Sequence, residues 1–79
     1  NLDLNIDEIS INRIPSFIGK TIKQTDIRNK YQLMIVCIIK YGKKTVINPK
    51  ANQIIEENDT IMVIGDKHNL DKFASEQTS

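Results

Sequence analysis

One stretch constrains this chain more than any other. Leu33-Met34-Ile35-Val36-Cys37-Ile38-Ile39 is apolar at every position. A continuous apolar run of this length, bounded by turn signals, reads as a buried strand; a helix would need about ten residues or more and a 3.6-residue rhythm. The turn follows at Tyr41-Gly42-Lys43-Lys44, where Gly42 supplies the positive φ that tight hairpins use. Thr45-Val46-Ile47 returns as a partner strand and Asn48-Pro49 closes it. The proline predicts an extended backbone at Asn48. A strand that is apolar throughout needs cover on both faces. With 79 residues, the chain has two short helices to offer, enough for one face only. The other face then calls for a second copy across a two-fold axis, or for a neighbouring domain.

The remaining segments arrange themselves around that strand. Glu8 to Ile14 alternates, with Ile9 and Ile11 on one face, and Pro15 stops the ladder. Thr21, with Gln24 three residues on, has the form of a capping box. The helix it opens carries Ile22, Ile27 and Tyr31 and is expected to end near Asn29 or Lys30. Glu56-Glu57-Asn58-Asp59 is a polar turn in which Asn58 takes the left-handed conformation. Thr60 to Ile64 is the last strand, with Gly65 as its exit. Asp66 or Asn69 caps a final helix bearing Leu70, Phe73 and Ala74, and Glu76 to Ser79 is expected to fray. The order is β-α-β-β-β-α. Three successive strands joined by turns predict a mostly antiparallel sheet in an α+β domain.

Composition removes several function classes. Eleven basic against ten acidic side chains leave a net charge of +1, unlike a nucleic-acid module built on clustered positive charge. A single cysteine, Cys37, excludes an internal disulfide and a zinc site, and predicts a reducing compartment. No apolar run approaches the roughly 18 residues of a membrane span. The start, Asn1-Leu2-Asp3-Leu4-Asn5, has acids where a signal peptide has bases, and the missing initiator Met predicts a piece of a longer protein. Catalytic groups are sparse. Cys37 sits mid-strand, where burial makes a thiol inert. His68, the only histidine, begins a polar helix and reads as solvated. Gly19-Lys20-Thr21 has the end of a phosphate loop without its beginning. The chain is expected not to be an enzyme and to hold no metal.

One constellation remains. Lys40, Lys43 and Lys44 surround the hairpin, Asn48-Pro49 adds an amide and a rigid ring, and Ile35, Ile38, Ile39, Val46 and Ile47 provide aliphatic surface. Aliphatic surface can take the face of a purine while lysine and Asn48 hold a phosphate. The same lysines also fit an ordinary solvated hairpin tip.

The order of pieces resembles the RCK_C, or TrkA C-terminal, domain of cation-transport regulators. The matching pieces are Gly19-Lys20-Thr21-Ile22, Asp26-Ile27-Arg28-Asn29-Lys30-Tyr31, the strand Ile35 to Lys40, Gly42, Ile47-Asn48-Pro49, and Asn58-Asp59-Thr60-Ile61-Met62-Val63-Ile64-Gly65. The likeness runs from about Glu8 to Phe73. Departures are Gln32 and Asn58 where the family has glycine, Cys37 where alanine is common, and Lys40 for a frequent arginine. The resemblance implies a dimeric regulatory domain spanning 1–79, with its core at 8–74, cut from a longer protein. It implies no catalysis, no cofactor within the domain, and cyclic di-AMP as regulatory ligand at a symmetric homodimer interface. Near that ligand it puts Ile35, Ile38, Ile39, Ile47, Asn48, Pro49 and Ala51, with Lys40, Lys43 and His68 as polar contacts. It further implies a cytoplasmic place beside a potassium uptake or channel subunit, with no nucleic acid bound and no membrane insertion. The alternative is the same fold as a dimeriser, or as a sensor of another ligand, on a cation/proton antiporter, an anion transporter or a transcription regulator.

Overall fold

The computed structural model describes residues 3–42 and 44–77. The first strand, β1 (Leu4–Ser10), begins and ends earlier than the alternation from Glu8 to Ile14 predicts. After Ser10 the Ile11 N–H donates to the Asp59 carbonyl (2.8 Å) and the Asn12 N–H to Ser10 Oγ (3.4 Å). The chain then winds through two 3-10 turns, Ile11–Arg13 and Pro15–Phe17. Ile11, Ile14 and Phe17 are all buried. They stand three apart, matching the three residues per turn of a 3-10 helix, so their apolar signal belongs to that winding and not to a strand.

The expected capping box forms. The Gln24 N–H donates to Thr21 Oγ1 (3.2 Å), and the Thr21 N–H donates to Gln24 Oε1 (2.9 Å). The helix it opens is split in two. α1 (Ile22–Thr25) ends at Asp26, whose φ of 54° is left-handed, and α2 (Ile27–Tyr31) ends at Gln32 with φ 53°. β2 (Met34–Ile39) and β3 (Thr45–Ile47) form the predicted hairpin, with Gly42 at φ 64°. Lys43 lies outside the described residues.

β4 (Thr60–Asp66) does not follow β3 through a turn. The chain first crosses the end of the sheet, where Ile54 bridges to Thr21, and then inserts β4 between β1 and β2. The four strands run in the order β1-β4-β2-β3, each antiparallel to its neighbour. Asn58 takes φ 70°, as its turn requires. Gly65 lies within β4 and is no exit: a Cβ there would collide with Leu33 Cδ2. α3 (Lys67–Gln77) starts beside Asp66, whose Oδ1 accepts the His68 N–H (2.8 Å). It runs on through Glu76, where fraying was expected, and Thr78 and Ser79 lie outside the described residues. The Tyr31 hydroxyl donates to Glu76 Oε1 (2.6 Å), and its ring meets Phe73 edge-on at 4.9 Å, tying α2 to α3.

Register sorts the sheet into two faces, because residues directly opposite one another share a side. Ile35, Ile38, Ile61 and Val63 face inward, with Ile9 and Val46 at the margins. They pack on Ile11, Ile14, Phe17, Ile27, Leu33, Ile55, Leu70 and Phe73. The other face carries Leu4, Ile6, Met34, Cys37, Ile39, Ile47, Met62 and Ile64. Leu4 is 58% exposed, Ile6 54%, Met34 47% and Ile47 79%. That face is open and largely apolar, as the argument from the central strand requires, and Glu8, Ser10, Thr45, Thr60 and Asp66 share it.

Candidate ligand-binding site

A hollow of about 230 Å³ opens where the first turn of α1, α2, the start of β2 and the Asn48-Pro49 corner meet. Its walls include Ile35, Asn48, Pro49 and Ala51 of the expected set, with Ile22 and Arg28 facing them. The local backbone explains why these converge. The first N–H groups of a helix have no partner within it. Here the Ile22 and Lys23 N–H groups donate to the carbonyls of Gln53 (3.0 Å) and Ala51 (2.9 Å), which clamps the 51–53 segment onto α1. On the opposite wall, the β2–β4 register shifts between Ile35 and Cys37, leaving Val36 as the extra residue of a bulge. The Val36 carbonyl accepts the Asn48 N–H (2.8 Å), and Asn48 stands at φ 51°. This corrects the extended conformation predicted from Pro49. The chain must leave β3 immediately after its last rung, and asparagine tolerates the left-handed region that such a reversal needs.

The other expected site residues lie elsewhere. Ile38 is fully buried on the core face. Ile39 and Ile47 share the open face of the sheet with each other and not with Ile35. His68 is exposed on the first turn of α3 and is not among the residues lining the hollow.

Lys40 is engaged internally. Its Nζ pairs with Asp59 Oδ2 and with Glu56 Oε1 (2.8 Å) and lies 3.5 Å from the Ile54 carbonyl. Asp59 is 1% exposed, and its Oδ2 also accepts the Glu56 N–H (2.8 Å). Burial works against the Lys40 charge, but the hydrogen bonds to Asp59 and Glu56 outweigh it and hold the ammonium above the ordinary lysine value. Lys40 thus fastens the end of β2 to the turn before β4.

Arg28, Ile22 and Met34 line the hollow and escaped the sequence argument.

The TrkA-C domain family matches residues 8–77. The chain belongs to the TrkA-C domain family. It is 36% identical over 71 residues to the K(+)/H(+) antiporter subunit KhtT of Bacillus subtilis, a match that covers 90% of this chain and 43% of KhtT. It is 38% identical over 55 residues to the Ktr system potassium uptake protein C of the same organism, covering 70% of this chain and 24% of that protein. The TrkA-C chain therefore spans less than half the length of these curated relatives. Among solved structures, it superimposes on the RCK C domain of the potassium transport protein KtrA in complex with cyclic di-AMP. The TM-score is 0.81 at 28% identity, covering 94% of this chain and 84% of that one. The GsuK RCK domain, at 22% identity and a TM-score of 0.84, shares the fold. The TrkA-C domain is a regulatory domain of potassium-transport-related proteins, without catalysis of its own. Among the described residues no group of His, Cys, Asp and Glu could hold a metal ion, and no helix is long and apolar enough to cross a membrane.

Proposed function

We propose that this domain senses cyclic di-AMP at a symmetric homodimer interface and thereby regulates a bacterial potassium-transport system, as one cytoplasmic domain of a longer protein beside a membrane transporter. The observation that carries the reading is the half-formed hollow at Asn48-Pro49. At about 230 Å³ it falls below the roughly 300–1,000 Å³ usual for a small-molecule site. A second copy docked on the open apolar face would enlarge the concavity and double its contacts. Within one chain, Ile35, Pro49 and Ala51 offer apolar surface to a base, and the Asn48 amide offers polar contact. The likeness to the KtrA domain, whose solved complex contains cyclic di-AMP, supports the choice of ligand. A ligand on the axis can shift the arrangement of two domains only through differential affinity for the two arrangements. The match to KhtT favours a cation/proton antiporter as the attached transporter, ahead of an uptake channel.

Calorimetric titration of the 79-residue chain with cyclic di-AMP tests this, with the linear dinucleotide and cyclic di-GMP as controls. The expected result is one ligand per two chains and little heat from either control. No heat, and no thermal shift at high ligand, would overturn the cyclic di-AMP reading while leaving the fold and family intact.

A further inference from the structure

We infer that the free edge of β1 docks an extended segment of a partner protein, which pairs with β1 as a fifth strand. That segment carries a basic, an aliphatic and an acidic side chain at alternate positions. The backbone shows which groups β1 has to offer. The Ile11 N–H donates to the Asp59 carbonyl (2.8 Å) and the Lys67 N–H to the Asp3 carbonyl (2.9 Å), and both pairs continue the β1–β4 register. Hydrogen-bonded pairs alternate with non-hydrogen-bonded ones along an antiparallel ladder. Asn5, Asp7 and Ile9 therefore turn their N–H and C=O groups to β4. Leu4, Ile6, Glu8 and Ser10 turn theirs outward, where no further strand lies.

Beside that edge a groove of about 180 Å³ runs between β1, the first 3-10 turn and α3. Ile9, Ile14, Phe73 and Ala74 give it apolar walls, and Asp7 and Arg13 add charge of opposite sign. It is smaller than the roughly 300–1,000 Å³ of a small-molecule site, but it suits a single aliphatic side chain. Asp7 and Ile9 share the core face of the sheet, because they stand opposite the buried Val63 and Ile61. On an added strand, the side chains opposite these two face the same way and are two residues apart. A basic residue there meets Asp7, an aliphatic one beside Ile9 enters the groove, and an acidic one two residues further on reaches Arg13. Among the described residues the ion pairs are Lys40 with Glu56 and Asp59, and Lys67 with Asp71, so neither Asp7 nor Arg13 is committed to one. In such strand addition the main-chain bonds give affinity and the alternate side chains give specificity. A second copy is a poor occupant. An antiparallel β1–β1 pairing of more than a few residues sets Asp3, Asn5 or Asp7 opposite Ile9, where the groove takes an aliphatic side chain.

The test follows the isotope-labelled 79-residue chain by NMR as it is titrated with the capped peptide Thr-Lys-Thr-Ile-Thr-Glu-Thr. The expected result is a saturable shift and slowed exchange at the Ile6 and Glu8 amides, whereas those of Asp7 and Ile9 are already bonded to β4. Glu8→Pro removes one outward donor and spares the β4 ladder, as proline does on an edge strand. It should weaken the peptide at least tenfold relative to Glu8→Gln, which loses the same charge and keeps the donor. The peptide N-methylated on the two threonines beside its isoleucine makes the same test without altering the chain, and it should lose binding. Replacing the peptide's isoleucine with serine, or its lysine with glutamate, should each weaken it at least fivefold. No saturable shift with the starting peptide, or full binding by its N-methylated form, would overturn the inference. Exchange protection at Ile6 and Glu8 that grows with the concentration of the chain alone would place a second copy on this edge and overturn it as well.

Discussion

Gln32 ends α2 with φ 53°, in a conformation that costs a residue bearing a Cβ about 1–2 kcal/mol. Its side-chain amide donates to the Asn29 carbonyl (3.0 Å), returning part of that cost. Gln32→Gly should therefore raise stability by about 0.5–1 kcal/mol, read as a higher urea midpoint at unchanged m-value. Gly65 presents the opposite case. Its backbone lies against the buried Leu33, so Gly65→Ala must push that side chain aside, at a cost of about 1–3 kcal/mol. A midpoint within error of wild type would mean that Leu33 has room to move. The Lys40–Asp59 pair is the third local determinant. Lys40→Met leaves the buried Asp59 without its cation and should destabilise the domain by about 3 kcal/mol. Lys40 has a folded-state pKa raised above its unfolded value, so its contribution is complete below the ordinary lysine pKa and is lost as pH rises through the folded one. The gap between wild type and Lys40→Met should hold steady from pH 7 to 9 and narrow above about pH 10.5, followed by urea denaturation across that range.

At the scale of elements, what the sequence made legible was local chemistry, and what it hid was set by distant partners. Thr21 and Gln24 cap one another without help from the rest of the chain, Gly42 takes its positive φ because it has no Cβ, and Asn58 is of a residue type that tolerates the left-handed region. The β2–β3 hairpin was readable for the same reason. β1 was misread because its apolar residues change face partway. Leu4 and Ile6 point to the open side and Ile9 to the core, and the apolar spacing then continues in the rhythm of 3-10 turns. The placement of β4 between β1 and β2 depends on pairings of high sequence separation, which no local pattern encodes. The bulge at Val36 had the largest effect on the candidate site. It separates Ile35 and Ile38, on the core face, from Ile39 and Ile47, so a contiguous aliphatic surface along β2 resolves into two faces. The convergence of Ile35, Asn48, Pro49 and Ala51 is carried by the clamp of residues 51–53 on α1. α1 is only four residues long, and its capping box is its main local support. Thr21→Ala should therefore cost about 1 kcal/mol of stability. It should also loosen the Ala51 wall, visible as faster amide exchange at Ile22 and Lys23. Unchanged exchange there would mean that the 51–53 segment holds α1 without the cap.

For the whole molecule, the open face of the sheet decides what the domain can be. Leu4 and Ile6 on one edge strand, Met34 in β2 and Ile47 on the other edge strand leave apolar side chains exposed across the full width of the sheet. Isolated exposed apolar residues are ordinary, but a patch continuous over four strands marks an interaction surface. β1 and β3 are also both edge strands, so the patch is flanked by unpaired backbone groups that a solitary domain would be expected to blunt. Ile47 tests the proposed dimer with little risk to the fold, since it is 79% exposed and lies at the end of the three-residue strand β3. A charge there costs the single chain almost nothing and would be trapped, unpaired, at a two-fold interface. Ile47→Glu is therefore expected to keep the wild-type circular dichroism spectrum while sedimenting as a monomer. Its response to cyclic di-AMP should fall with dimer content, because the hollow in one chain is too small to enclose the ligand. A variant that stays dimeric and binds normally would move the interface off this face, and the hollow would then have to be completed by some other surface.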